Sequence, residues 1–104
     1  MTPEGKVVNA IRRAVKEAGG ECRKVHWTAH VGAPDWFVMI NGRNFFIEAK
    51  APGQKPEPHQ LREHERMRKH GGCCVYVVDS VEEAKQIIRC AAEGAPLGSL
   101  NVES

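Results

Sequence analysis

Asn41-Gly42 sits between two apolar runs, Trp36-Phe37-Val38-Met39-Ile40 and Arg43-Asn44-Phe45-Phe46-Ile47. A two-residue type I′ turn needs positive φ at both central positions, and Asn-Gly is the strongest short signal for it. The dipeptide therefore predicts a hairpin and sets its register. Ile40 faces Arg43, Met39 faces Asn44, Trp36 faces Ile47, and Asp35 faces Glu48. Directly opposed residues have Cβ atoms roughly 4.5–5.5 Å apart. Two carboxylates at that separation repel each other. A bound cation removes the penalty, and hard oxygen ligands are what Mg²⁺ selects. Strand side chains alternate, so Lys50 shares a face with Glu48. Two acids and a lysine around one point suit metal-assisted phosphodiester cleavage.

A plainer account exists. Asp35 can simply open the strand after Pro34, and Glu48 with Lys50 can be an exposed i, i+2 ion pair. Against this, Glu48 follows Phe45-Phe46-Ile47 with no polar break, which reads as a strand covered on both faces. A carboxylate at the end of such a strand needs a partner. A one-residue register slip would undo the pairing.

With 104 residues the chain makes one domain, large enough for a core of its own. Apolar content of 41% and charged content of 27% are those of a soluble globular protein. No run approaches the ~20 apolar residues of a membrane span. The opening Met1-Thr2-Pro3-Glu4-Gly5-Lys6 has no signal-peptide character, which leads us to expect a cytoplasmic protein. Cys22, Cys73, Cys74 and Cys90 show no C-x-x-C spacing, and reduced cysteines acting as small apolar residues are expected. The five histidines show no metal-ligand spacing either; His59 and His64, for instance, are five apart. The net charge of +2 is unevenly spread: residues 1–78 carry thirteen Lys/Arg against eight Asp/Glu, and the rest carry two against five. Neutralising Glu4, Asp35 and Glu48 with metal would leave a basic surface suited to a polyanion such as nucleic acid.

Thr2-Pro3-Glu4 reads as a helix start, followed by apolar residues at helical spacing and closed by Gly19-Gly20. Residues 22–31 are expected to be extended, with Trp27 inside the segment. Gly32-Ala33-Pro34 turns the chain into Asp35. The hairpin strands cover 35–40 and 43–49, and the proline-rich stretch 51–58 must be a loop. Residues 59–70 form a polar helix capped by Gly71-Gly72. Cys73-Cys74-Val75-Tyr76-Val77-Val78 reads as a buried strand. Asp79 or Ser80 then caps a last helix with Ala84, Ile87, Ile88 and Ala91 on its apolar face. The crossover between 43 and 78 implies that the last strand runs parallel to the middle one. The fold class is α/β, a mixed sheet of about four strands flanked by helices, in the order α-β-β-β-α-β-α. Residues 1–93 form the domain, and 94–104 a C-terminal tail.

Gly32-Ala33-Pro34-Asp35, Ile47-Glu48-Ala49-Lys50, Gln60 opening the next helix, and Gly71-Gly72 before the last strand form a series. In this series the chain resembles the VRR-NUC nucleases, a branch of the PD-(D/E)xK superfamily with a restriction-endonuclease-like core. The likeness runs from Glu4 to about Ile88. The short length is similar to the stand-alone members found in phages and bacteria. The resemblance implies that Asp35 and Glu48 bind a catalytic Mg²⁺ or Mn²⁺, with the Ala49 carbonyl as a further ligand. It implies that Lys50 positions or activates the attacking water and that Gln60 orients the site. Glu4 matches the family's first-helix acid; an acid simply favouring a helix N-terminus remains equally open.

These readings converge on a metal-dependent DNA endonuclease, structure-selective for branched or four-way-junction DNA and working as a homodimer. A non-catalytic nucleic-acid-binding module of the same fold is the alternative, and a small structural or regulatory protein is another. For DNA contact the expected residues are Lys55 and, on the polar helix, Arg62, Arg66 and Lys69, with Arg68 beside them. A solvated salt-bridge helix, supported by Glu63 and Glu65, is the competing account of that charge. The last helix and Pro96-Leu97-Gly98, without an evident intramolecular role, are expected at a dimer interface.

Overall fold

The computed structural model describes residues 1–95. Pro96, Leu97, Gly98 and the rest of the expected tail lie outside the described residues. The elements are α1 (Pro3–Glu17), β1 (Glu21–Lys24), β2 (Trp36–Ile40), β3 (Arg43–Ala49), α2 (Pro58–Gly71), β4 (Val75–Val78) and α3 (Val81–Glu93). Their order is the one the sequence predicts.

Each boundary has a local cause. The Thr2 hydroxyl accepts the Gly5 N–H at 3.0 Å and caps α1, with Pro3 in the first helical position. Asn41 and Gly42 both have positive φ, 52° and 76°, as a type I′ turn requires. Ser80, rather than Asp79, caps α3 by accepting the Glu83 N–H. Asp79 instead accepts the Gly53 N–H from the proline-rich loop.

The sheet order is β1-β2-β3-β4. The hairpin register is the predicted one, from Ile40 opposite Arg43 to Trp36 opposite Ile47. β1 joins antiparallel to β2, and β4 joins parallel to β3 after the α2 crossover. Strand alternation gives the sheet two different faces. Val38, Ile40, Phe45, Ile47 and Ala49 point to one side, where they pack with Val7, Ile11 and Val15 of α1 and Ala84, Ile87, Ile88 and Ala91 of α3. Burying each large aliphatic side chain there contributes about 1.5–3 kcal/mol. Phe37, Phe46 and Glu48 point to the other side, toward α2. The sheet thus separates the main apolar core from the face on which Glu48 lies.

Two expectations are corrected. The extended segment 22–31 shrinks to β1, and residues 25–35 form a loop that returns to the sheet when the Val25 N–H bonds the Asp35 carbonyl at 2.8 Å. Val25, Trp27, Ala29 and Val31 alternate with polar residues as in a strand, but Ala29 takes a positive φ of 62°, and Trp27 and His30 find their partners on α2. The last helix also has an intramolecular role, because its apolar face closes the core against α1. All four cysteines are free. Among the described residues no helix is long and apolar enough to cross a membrane.

Candidate active site

β2 and β3 stop pairing just beyond Trp36 and Ile47, so Asp35 stands at the mouth of the hairpin. Its Oδ2 accepts the Ala49 N–H at 2.9 Å, and its Oδ1 lies 3.7 Å from Lys24 Nζ. One residue before Ala49, Glu48 points to the α2 side and is 1% exposed. Gln60 Nε2 donates to Glu48 Oε2 at 2.9 Å, and Lys50 Nζ lies 3.5 Å from the same oxygen. His64, fully buried, brings Nε2 to 3.7 Å from Glu48 Oε1. That oxygen is buried yet receives no hydrogen bond. A buried polar atom left without a donor costs about 1–3 kcal/mol, and more when charged. The repulsion expected between the two acids is therefore relieved within the protein: each carboxylate has its own cation and its own N–H donor.

α2 makes this arrangement possible. Gln60 uses both ends of its amide: Oε1 accepts the Glu57 N–H at 2.8 Å at the helix start, while Nε2 reaches Glu48. Gln60, Glu63 and His64 stand at i, i+3 and i+4 and so share one helix face. That face meets the sheet and the 25–35 loop.

This architecture has a close counterpart. A solved structure described as a VRR_NUC domain is 40% identical, with a TM-score of 0.76 over 86% of this chain and 97% of that one. The chain belongs to the VRR-NUC family. A protein of Acyrthosiphon pisum secondary endosymbiont phage 1, named "Putative nuclease p44", is 46% identical over 54 residues. The match covers 51% of this chain and 58% of that relative, so the chain spans less than two thirds of it. No family model matches the chain.

In this VRR-NUC chain Gln60 and Lys50 meet the Glu48 carboxylate, and the Asp35 carboxylate meets the Ala49 N–H. Glu4 is exposed in the first turn of α1. Among the described residues no three of His, Cys, Asp and Glu gather closely enough to hold a metal by themselves. Of the expected DNA-contacting cations, Lys55 is exposed in the loop before α2, and Arg62 and Lys69 line a shallow cleft with Glu65 and His70. Arg66 borders the same cleft but is tied to Glu63 by bonds of 3.0 Å. Arg68 donates to the Val75 carbonyl at 2.8 Å and ties α2 to β4.

Three neighbours of the site are not singled out by the sequence: Lys24, His64 and Glu63. A signal for the last two exists, because both share a helix face with Gln60. Setting His64 beside His59, from which it is offset on the helix, hides that alignment.

Proposed function

We propose that this protein is a Mg²⁺- or Mn²⁺-dependent DNA endonuclease acting on branched DNA as a homodimer. The observation that carries the proposal is Glu48: a buried carboxylate with one oxygen held by Gln60 and Lys50 and the other, 3.7 Å from His64 Nε2, without a hydrogen bond. A hard cation would complete that second oxygen. Mg²⁺ is commonly held by one or two carboxylates plus waters, so a pair of acids suffices. Asp35 and Glu48 would hold the ion, with the Ala49 carbonyl and, through water, Glu4 as further ligands. When bound, such an ion neutralises phosphate charge and lowers the pKa of a coordinated water.

The rest is the chain's own work. Gln60 fixes the rotamer of Glu48. Lys50, only 16% exposed, holds a positive charge beside the carboxylate, where negative charge develops on a phosphate under attack. Lys24 holds a second one beside Asp35. Lys55, Arg62 and Lys69 offer cations to the DNA backbone, while Arg66 divides its charge between that role and Glu63. The relative named as a nuclease and the VRR-NUC membership support the reaction class. Symmetric cleavage of a junction needs two sites, which a C₂ dimer provides with one interface.

The test is a cleavage panel of single-stranded, duplex, flap and four-way-junction DNA with Mg²⁺ or Mn²⁺. Paired symmetric cuts in the junction, lost in Asp35→Asn and Glu48→Gln, are expected. Wild-type cutting by either variant would remove the site assignment. Metal binding in calorimetry without cleavage of any substrate would favour a non-catalytic binding module.

A further inference from the structure

Glu63 lies outside the Asp35–Glu48 pair, yet the side chains of Trp27, His30 and Arg66 all bond to it. It is 8% exposed. Its Oε2 accepts the Trp27 indole N–H at 2.7 Å. Its Oε1 lies 3.1 Å from His30 Nε2 and 3.0 Å from Arg66 Nε. Trp27 and His30 belong to the 25–35 loop, whereas Glu63 and Arg66 belong to α2. The Trp27 ring also meets Phe46 edge-on, with centroids 6.5 Å apart, so the loop is pinned to β3 as well. Backbone contact reinforces the link. Gly32 has φ +95°, and a Cβ there would lie 2.7 Å from the His59 carbonyl oxygen and 2.9 Å from Glu63 Cβ.

The pinned loop ends at Asp35. One face of α2 therefore grips both carboxylates, Glu48 through Gln60 and Asp35 through Glu63 and the loop. We infer that Glu63 is a positioning residue: its bonds to Trp27 and His30 set the loop so that Asp35 meets the Ala49 amide and stays beside Glu48. The two acids come from different segments, and α2 fixes their separation. The inference rests on the proposed metal site for its catalytic consequence, but not for its structural content. Supporting side chains of this kind change metal affinity or activity by about 10–100-fold when altered.

Two substitutions break the link in different ways. Glu63→Gln removes the charge and one acceptor oxygen. Trp27→Phe removes only the indole N–H and keeps the ring against Phe46. Each is made in full-length protein, and the Ala49 amide is followed by NMR. In both variants its resonance should shift and its hydrogen exchange should quicken by about tenfold as the bond to Asp35 loosens. Mn²⁺ affinity in calorimetry should fall about tenfold or more, and kcat should fall with KM for DNA held within twofold. A variant that merely lost stability would show a lower melting temperature without the selective change at Ala49. Should Glu63→Gln fail to fold, Trp27→Phe alone decides. An unchanged Ala49 amide in a folded variant that has lost the Trp27–Glu63 bond overturns the inference. If the Ala49 amide moves as expected but unaltered protein cuts no DNA, the positioning role stands and the nuclease proposal falls.

Discussion

Glu48 and Glu63 are both buried acids on the α2 side of the sheet, and their surroundings differ in one respect. Glu63 has a donor for each oxygen, whereas Glu48 has donors for only one. For Glu63, burial raises the pKa, but hydrogen bonds from Arg66, Trp27 and His30 outweigh it and hold the carboxyl below its ordinary 4.5. The folded state thus favours the anion. Its stabilising contribution is complete above pH 4.5 and disappears as the pH falls through the lower folded value. Urea midpoints measured downward from pH 5 should fall more steeply for the unaltered protein than for Glu63→Gln. Equal slopes would show that the Glu63 charge is not coupled to folding. At Glu48, truncation to alanine removes the partner of Gln60 and of Lys50, which stays largely buried. A loss of about 1–3 kcal/mol in denaturant unfolding is expected. Glu48→Gln keeps the Gln60 contact and should lose less, while both variants lose cleavage.

At the scale of elements, two glycines test two kinds of turn. Gly42 closes the hairpin at φ +76° with open space where a Cβ would stand. Gly42→Ala meets only the left-handed backbone penalty, about 1–2 kcal/mol, and should leave metal binding intact. Gly32 has a positive φ and also touches the α2 backbone. Gly32→Ala should cost more stability than Gly42→Ala and should weaken Mn²⁺ binding as well, because the loop must lift away from α2. Calorimetry on the two variants side by side separates these cases; equal metal affinities would mean that loop seating is irrelevant to the site. The contrast follows from where each turn sits, since one is a free end and the other lies under a helix.

For the molecule as a whole, the partner is the question. Arg66 and Arg68 are engaged within the fold, so among the cations proposed to meet DNA the exposed Arg62, Lys69 and Lys55 are the ones to test. Arg62→Ala with Lys69→Ala should weaken DNA binding without changing the fold. The slope of log K against log salt should shrink by about 0.9 for each duplex phosphate that is no longer neutralised. An unchanged slope would assign the polar face of α2 to solvent. The apolar face of α3 is committed to the core, so a dimer that uses this helix would meet its exposed face, with Glu82, Lys85, Gln86 and Arg89. Light scattering at micromolar concentration is expected to give twice the chain mass of 11.5 kDa. A value near 11.5 kDa would exclude the dimer.

Short-range rules made much of this molecule legible. Asn41-Gly42 determined the turn, and the turn determined the register from Ile40 opposite Arg43 to Trp36 opposite Ile47. The Thr2 cap, the α2 crossover and the parallel β4 follow from equally local signals. The same rules do not reach the contacts that finish the site. Trp27 and His30 are separated from Glu63 by 36 and 33 residues, and no periodicity links this loop to one position on a polar helix. From the sequence, 22–31 passes for a strand and Glu63 for half of a surface ion pair. Only the packing of α2 against the sheet showed that the loop has its bonding partners there. It also showed that Glu48 has one oxygen hydrogen-bonded and the other buried beside His64 without a hydrogen bond. Burial and partnership are properties of what other segments place nearby, and they come into being when the chain closes.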